Sequence, residues 1–369
     1  MLKNFLKRLT ASLSIVTAST SSAYDNSRYP EFGTANIGRG FENISIHPND
    51  SEWLISECSN ALTPYSMCYL MIYNLNDHSY KRLDLSNKYS YVEGRFSPMG
   101  EQIIFIRQPP SKKGDHADVM NSYAHGEIVI MDRDGDNFHV LPIPPNRIIS
   151  PTLSPSGKKL SYLLAGSDKP PGRGTFLAFF EIWEFDLSTG EHKLFAGPMK
   201  FYHASTISYL SESEIIVGGI FPALTGEVES RDYLGHYQGS EVFKIVRGTR
   251  FAPEPSFYEL PYAKFPTVDR HGNIFYETAP PKIGFALTQK DVFGKTTLWR
   301  EPRLDLGSIS QYAAAPSGAY VAFIYESPSF KKKNGKHALG FFDLRTERWN
   351  PVLPPPISDS ALIPLKTTQ

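Results

Sequence analysis

Two charged residues, Glu93 and Arg95, are the first candidates for chemistry in this sequence. Six segments of the chain align on a shared turn, and these residues are the only charges in two aligned columns. The first aligned column contains Ser45, Arg95, Thr152, Ser208, Thr267 and Ala313, and the second contains Asn43, Glu93, Ser150, Thr206, Phe265 and Gln311. Because side chains two apart in a strand share a face, both columns are expected to face one polar space. The hypothesis is a ligand-binding site of Asn43, Glu93, Arg95 and Gln311; the alternative is that Glu93 and Arg95 pair with each other.

Histidines are the second group of candidates, because imidazole binds metals and titrates near neutral pH. His203 and His236, with His116, His125 and His337, fall in or near segments that are expected to share one face of the molecule. Ten histidines in 369 residues also produce such a scattering by chance. We therefore keep His203 and His236 as ligand-binding candidates and expect no metal.

Contiguous catalytic motifs are missing from the sequence. There is no Gly-x-Ser-x-Gly for a serine nucleophile, no His-Glu-x-x-His for zinc and no P-loop for a nucleotide. The acidic stretch at residues 132–136 is typical of a hairpin turn, since its glycine is misplaced for a calcium loop. We expect no cofactor and favour binding over catalysis.

The elements that position these residues are predicted from the repeated turn. Its six versions are His47-Pro48-Asn49-Asp50, Ser97-Pro98-Met99-Gly100, Ser154-Pro155-Ser156-Gly157, Leu210-Ser211-Glu212-Ser213, Asp269-Arg270-His271-Gly272 and Ala315-Pro316-Ser317-Gly318. They recur at about fifty residues, the period of propeller blades. Each turn precedes an apolar strand, and third and fourth strands follow.

Six such units, numbered here along the chain, cannot each bury a face alone but do so when packed around an axis. The sequence therefore predicts an all-β fold, a six-bladed β-propeller of four-stranded antiparallel blades over residues 41–356. The third aligned column, one residue before the start of each turn, should pack between blades. It contains Ile46, Phe96, Leu153, Tyr209, Val268 and Ala314. A pair of β-sandwiches is the structural alternative.

The Ser-Pro-x-Gly turn followed by an aromatic-rich strand resembles the TolB-type propeller repeat, and residues 181–190 look like the third strand of a WD40 blade. The resemblance covers about residues 41–356 and implies architecture, because such propellers serve both as binding scaffolds and as enzymes. TolB itself carries an α/β domain before its propeller. Residues 24–40, an irregular lead-in, are too short to hold one, so a TolB role is not expected.

Long links between second and third strands predict the binding face, since repeat insertions on one face usually mark it. These links cover residues 107–126, 166–177, 220–240, 279–294 and 327–337. The last contains a run of lysines and the third of them contains acidic residues, a distribution that suits an anionic or zwitterionic ligand but is also typical of solvated loops.

The first 23 residues carry Lys3, Lys7 and Arg8, a short apolar run and a small-residue end, which together predict a cleaved secretory signal. The apolar run is too short to span a bilayer. Without this segment the basic count falls from 38 to 35 against 38 acidic residues, so a net charge of −3 gives no case for nucleic acid. Residues 357–369 are expected to form a tail.

The two cysteines, Cys58 and Cys68, lie in one local unit. In an exported protein such a pair predicts a disulfide, with two free thiols as the alternative. The sequence thus favours a periplasmic or secreted, non-enzymatic binding scaffold for a protein, peptide or glycan on the insertion-bearing face. The alternative is a propeller hydrolase or lyase acting on peptide or polysaccharide at the central channel.

Overall fold

A computed structural model of the protein describes residues 39–59, 65–83, 85–112, 116–168, 176–197, 199–224, 241–249, 263–280, 283–301, 309–325 and 338–352. The predicted signal at 1–23, most of the lead-in at 24–40 and the tail at 357–369 lie outside these residues. So do the link at 327–337, most of the link at 220–240, and His236. Within the described ranges the regular secondary structure is β-strand apart from one short helix, which confirms the predicted all-β class.

The first three units pair as antiparallel meanders from the strand before each shared turn outward. Unit 1 contains β1 (Arg39–Ile46), β2 (Glu52–Ser59), β3 (Tyr65–Asn74) and β4 (Tyr80–Arg82). Unit 2 contains β5 (Ser90–Phe96), β6 (Gln102–Gln108), β8 (Glu127–Asp132) and β9 (His139–Val140). Unit 3 contains β10 (Ile148–Leu153), β11 (Lys159–Asp168), β12 (Phe176–Asp186) and β13 (His192–Leu194). The first link adds β7 (Ser111–Lys112), which pairs with β3, and helix α1 (His116–Tyr123).

The last three units follow the same order. Unit 4 contains β14 (Met199–Tyr209), β15 (Glu214–Leu224) and β16 (Glu241–Val246). Unit 5 contains β17 (Lys264–Val268), β18 (Ile274–Thr278), β19 (Ala286–Lys290) and β20 (Thr296–Arg300). Unit 6 contains β21 (Ile309–Ala314), β22 (Tyr320–Tyr325), β23 (Ala338–Asp343) and β24 (Arg348–Val352). A bridge between Phe180 and Phe201 joins units 3 and 4 into one sheet.

Apolar clusters lie between consecutive units and hold them together. Each of six clusters takes its buried residues mainly from two neighbouring units, and one of them joins unit 6 to unit 1. Every member of the third aligned column belongs to a different cluster, as predicted for residues between blades. First strands of successive units also contact one another, including β21 with β1. This cyclic order differs from a sandwich pair, and the count of six blades stays a prediction.

The shared turn has the backbone that its sequence predicts. In unit 3 the Gly157 N–H donates to the Ser154 carbonyl at 2.7 Å, and Gly157 adopts φ of 71°. Since no atom would contact a Cβ there, the positive φ alone accounts for glycine at this position. The turn after the third strand lies beside it, because Leu187 N–H donates to the Lys158 carbonyl. Both turns therefore lie on one side of the ring, called here the turn face.

A β-bulge interrupts the first strand of every unit at the same height. The six breaks in register lie at 41/43, 92/95, 149/152, 204/206, 264/267 and 309/311, each with one extra residue in the first strand. In units 2, 3 and 5 the second-column residue takes positive φ: 57° at Glu93, 55° at Ser150 and 53° at Phe265. Such bulges re-aim side chains, so simple alternation fails across them.

The predicted disulfide is present between Cys58 and Cys68, which lie directly opposite each other on β2 and β3. Cys58 also pairs with Gly40 of β1, which precedes the bulge of that strand. The disulfide therefore staples the side of unit 1 that faces away from the turn face. Among the described residues no helix has the length and apolar character needed to cross a bilayer.

Candidate functional site

A cavity of about 540 Å³ lies on the axis and opens among the shared turns. All six units contribute to its wall, and all six residues of the first aligned column line it. Its volume falls in the range of small-molecule and peptide pockets. The side chains of the first aligned column therefore form the inner wall of an axial cavity, which opens on the turn face.

The second column contributes less to this wall. Only Thr206 and Gln311 line the cavity, whereas Asn43 and Ser150 are buried. The reason is the bulge, which lies between the two columns or at the second and changes the direction of the side chains there. The expectation that both columns face one space therefore holds for the first column and needs correction for the second.

Side-chain hydrogen bonds join every pair of consecutive units around the axis. They run from Asn43 Nδ2 to Gly94 O (2.5 Å), from Arg95 to Ser150 Oγ (2.6 Å), from Ile207 N to Ser150 Oγ (2.9 Å), from Thr206 Oγ1 to Pro266 O (3.5 Å), from Ala314 N to Thr267 Oγ1 (3.0 Å) and from Gln311 Nε2 to Asn43 Oδ1 (2.7 Å). We call this set the axial belt. Buried polar groups in it are satisfied by neighbours from other units.

Arg95 forms the floor of the cavity. Its guanidinium donates to Ser150 Oγ at 2.6 Å and to the Ile207 carbonyl at 2.8 Å, so it reaches from unit 2 past unit 3 to unit 4. Burial lowers the pKa of the Arg95 guanidinium, and the Glu93 carboxyl opposes part of that shift. Within the described part of the protein no carboxylate forms an ion pair with Arg95.

Glu93 occupies a different environment, although it is only two residues away. It sits in the bulge beside Gly94, where an added Cβ would lie 2.7 Å from Leu70 Cδ2, so a larger residue would displace the buried Leu70 side chain. Burial raises the pKa of Glu93 to about 7, with Glu42 adding to the rise and Arg95 and the Ser150 N–H opposing it. The predicted alternative, a Glu93–Arg95 ion pair, is wrong for these residues. Arg95 lines the axial cavity, whereas Glu93 does not.

Tyr123 is the neighbour of Glu93 that the sequence did not indicate. It ends helix α1, and burial raises its pKa strongly, with the charges of Glu42 and Glu93 adding to the shift. The helix thus places a phenol near the carboxyls on the side of the belt away from the turn face. No periodic pattern marked this eight-residue helix, so sequence reasoning treated it as a link.

Two other predicted site residues, Asn43 and His203, do not line the cavity. Asn43 is buried and bonded within the belt to Gly94 and Gln311. His203 is exposed on β14, with its ring 5.9 Å from that of Phe180, and its pKa is lowered by desolvation and by Lys264. Whether any of these residues binds a ligand stays a prediction.

Two hydroxyls in the cavity wall lack a protein partner among the described residues: those of Thr152 and Ser208. Arg270 stands exposed at the mouth, also without an ion pair there. The sequence places these three residues in the aligned columns and turns. Whether each has a hydrogen-bond or ion-pair partner depends on contacts that only the folded protein shows. In the described part, the one compact group of metal-ligating residue types is Glu42 with Cys58 and Cys68, whose sulfurs are joined to each other.

The described fold is similar to several solved β-propeller structures. TolB from Acinetobacter baumannii superposes with a TM-score of 0.52 at 14% identity, over 87% of this chain and 65% of TolB. Oligogalacturonate lyase from Vibrio parahaemolyticus gives 0.50 at 9%, over 88% and 81%. Acylaminoacyl peptidase from Pyrococcus horikoshii gives 0.50 at 11%, over 89% and 54%.

These likenesses define the class of the fold: the chain is a β-propeller protein. Its architecture is TolB-like, as the repeat predicted. No family profile matches the sequence, and no curated protein matches it. This chain spans about two thirds of TolB and about half of the peptidase. Since binding proteins and enzymes share this fold, the similarity indicates the architecture of the chain but not its function.

Proposed function

We propose that this protein is an exported binding scaffold that holds a segment of a protein or peptide partner in the axial cavity. The partner approaches the turn face. Export is proposed from the signal-like residues 1–23 and from the disulfide, which is favoured in oxidising compartments. The six-bladed ring is part of the same proposal.

The observation that carries the proposal is the composition of the cavity wall. It offers hydroxyls, an amide and the guanidinium groups of Arg95 and Arg270, while its two carboxylates are engaged in turns. Glu212 accepts from the Ser156 N–H at 2.5 Å, and Asp269 accepts from the N–H groups of His271 and Asn273. No two titratable side chains of the described wall contact each other, and catalysis usually needs such a pair. A wall of this composition is suited to binding a ligand rather than to catalysis.

Exposed apolar side chains on the turn face favour a polypeptide partner. Met99 is 75% exposed beside the cavity-lining Pro98, and Phe293 is 93% exposed. Val292 is 59% exposed and lies 3.2 Å from where a Cβ of Gly272 would be, so this hairpin belongs to the turn face. Exposed apolar groups beside a polar pocket are typical of protein-binding surfaces.

The insertion-bearing face, with a protein, peptide or glycan as its ligand, stays the competing prediction. Most of its links lie outside the described residues, and its support comes from the sequence. The two faces are distinguishable, because a variant can close one and leave the other intact.

The test uses Ser208→Trp, which fills the cavity, and Lys81→Trp, which adds the same ring on an outer strand. Binding partners are captured from an extract of the native compartment and identified, and their affinities are then measured with purified components. We expect Ser208→Trp to weaken binding at least tenfold and Lys81→Trp to leave it unchanged. Equal binding by both variants would move the site to the other face.

A hydrolase or lyase is the second candidate function, and Glu93 is the observation that favours it. A carboxyl with a pKa of about 7 is suited to proton transfer at neutral pH, and Tyr123 lies near it. A screen of peptide and polysaccharide substrates tests this role. Turnover that Glu93→Gln abolishes would establish the enzyme; turnover unaffected by Glu93→Gln, or none at all, would leave Glu93 without this function.

A further inference from the structure

The floor of the axial cavity presents a positive charge with no carboxylate in direct contact among the described residues. The Arg95 guanidinium has five N–H donors, of which the bonds to Ser150 Oγ and the Ile207 carbonyl use two and leave three. Both protein acceptors are neutral, and no ion pair to Arg95 exists in the described structure. A cation held in this way retains its attraction for an anion.

Two free hydroxyls flank this cation. Thr152 is two residues beyond Ser150 in β10, and Ser208 directly follows Ile207 in β14, so both lie next to the residues that hold the guanidinium. Both line the cavity, and neither hydroxyl has a protein partner among the described residues. Each hydroxyl is a donor. The wall of one cavity therefore holds Arg95, with three guanidinium N–H groups unused by the two bonds above, and two O–H groups without a protein partner among the described residues.

We propose that Arg95, Thr152 and Ser208 form a carboxylate-binding site at the floor of the axial cavity, which anchors an acidic group of a peptide ligand. The inference rests on the proposed function, since it names the chemistry by which the scaffold would recognise its partner. Guanidinium and carboxylate match in shape and charge, and the bond is strengthened where water is excluded.

Two observations favour a peptide over another anion. The apolar side chains of Met99 and Phe293 on the same face suit a polypeptide. The exposed Arg270 at the mouth would attract an acidic segment toward the floor. The carboxylate has two possible sources, an acidic residue or the free C-terminus of the peptide, and the probes below separate them.

The experiment measures dissociation constants by saturation-transfer NMR with short synthetic peptides. One pair is acetyl-Ala-Ala-Asp amide and acetyl-Ala-Ala-Asn amide, which differ only in the carboxylate of the third residue. The other pair is acetyl-trialanine with a free and with an amidated C-terminus. Trigalacturonate is the probe for an acidic sugar. We expect one acid to bind about tenfold more tightly than its matched amide.

Substitutions in the cavity wall show whether the preference for the acid over its amide depends on the proposed site. Arg95→Gln should reduce the acid-to-amide ratio to less than twofold, whereas Arg348→Gln, on an exposed outer strand, should leave it unchanged. Thr152→Val and Ser208→Ala keep Arg95 in place and should each weaken acid binding about threefold. These two variants keep the test valid if Arg95→Gln does not fold.

Several outcomes would contradict the carboxylate site or its peptide ligand. Equal binding of acid and amide, a preference that survives in Arg95→Gln, or no binding of any peptide would reject the carboxylate site. Binding of trigalacturonate alone would replace the peptide with an acidic sugar. If Ser208→Trp still abolishes partner binding while the Arg95 variant has no effect, the scaffold function stands and only this inference fails.

Discussion

The two sides of the axial belt are built from the same six first strands but have opposite properties. On the turn face, the first aligned column surrounds a cavity with hydroxyls and the Arg95 guanidinium. On the other side of the bulges, Asn43 and Ser150 are buried in hydrogen bonds and Glu93 is a carboxyl with a pKa of about 7. One extra residue in each strand separates a surface suited to ligands from one committed to structure.

The difference is also electrostatic. Arg95 keeps its charge among neutral acceptors from two other units, whereas burial makes the charged form of Glu93 unfavourable near neutral pH. The two groups do not neutralise each other by direct contact. The following predictions test how much each side contributes to stability, from the largest expected effect to the smallest.

Replacing Arg95 with alanine should have the largest effect, a loss of about 3 kcal/mol in the free energy of unfolding. The substitution removes two charge-assisted hydrogen bonds that join units 2, 3 and 4, each worth about 1.5–3 kcal/mol. Urea unfolding measures it, with Arg348→Ala as a control expected to change stability by less than about 0.5 kcal/mol. A change as small as the control would show that the belt does not depend on this cation.

Removing the disulfide with Cys58→Ala and Cys68→Ala should cost about 2–3 kcal/mol, the amount expected when a short loop is opened in the unfolded chain. The staple lies on the side of the bulge away from the cavity, so ligand affinity on the turn face should not change. The wild-type protein in reductant is the matched comparison. A loss of affinity on reduction would show that the two sides are coupled.

Glu93→Gln should raise stability by about 2 kcal/mol at pH 8 and leave it unchanged near pH 4. Folded Glu93 keeps its proton up to about pH 7, while the unfolded chain releases it near the ordinary carboxyl value. Wild-type stability therefore falls as pH rises between those values, and glutamine has no such loss. Unfolding midpoints measured across this range test the sign. A wild-type curve that rises in this window would contradict it.

Thr267→Val should cost about 1 kcal/mol, because it removes the acceptor of the Ala314 N–H at 3.0 Å. Thr152→Val is the matched substitution in the same aligned column, and it should change stability by less than about 0.5 kcal/mol, since its hydroxyl lacks a protein partner in the described structure. Denaturant unfolding of the two variants separates belt residues from ligand-facing ones. Equal costs would remove that distinction.

Local sequence was sufficient for some features and insufficient for others. The turns, the strand after each turn and the interblade position of Ile46 or Leu153 follow from period-two alternation and turn chemistry. The helix at Tyr123 carried no such pattern and was missed. Glu93 was assigned to the same face as Arg95 because alternation was counted through a bulge.

The sequence by itself determined that six similar units exist and that the first aligned column, including Arg95, lies on one face, since these depend on neighbours along the polypeptide. Only the tertiary structure decided which polar groups are free. Asn43 is satisfied by Gln311, 268 residues away, and Arg95 by the Ile207 carbonyl, 112 residues away. Hydrogen bonds between distant strands depend on how the ring closes. Hence the freedom of Thr152 and Ser208, and the separation of Glu93 from Arg95, appear only when the units meet around the axis.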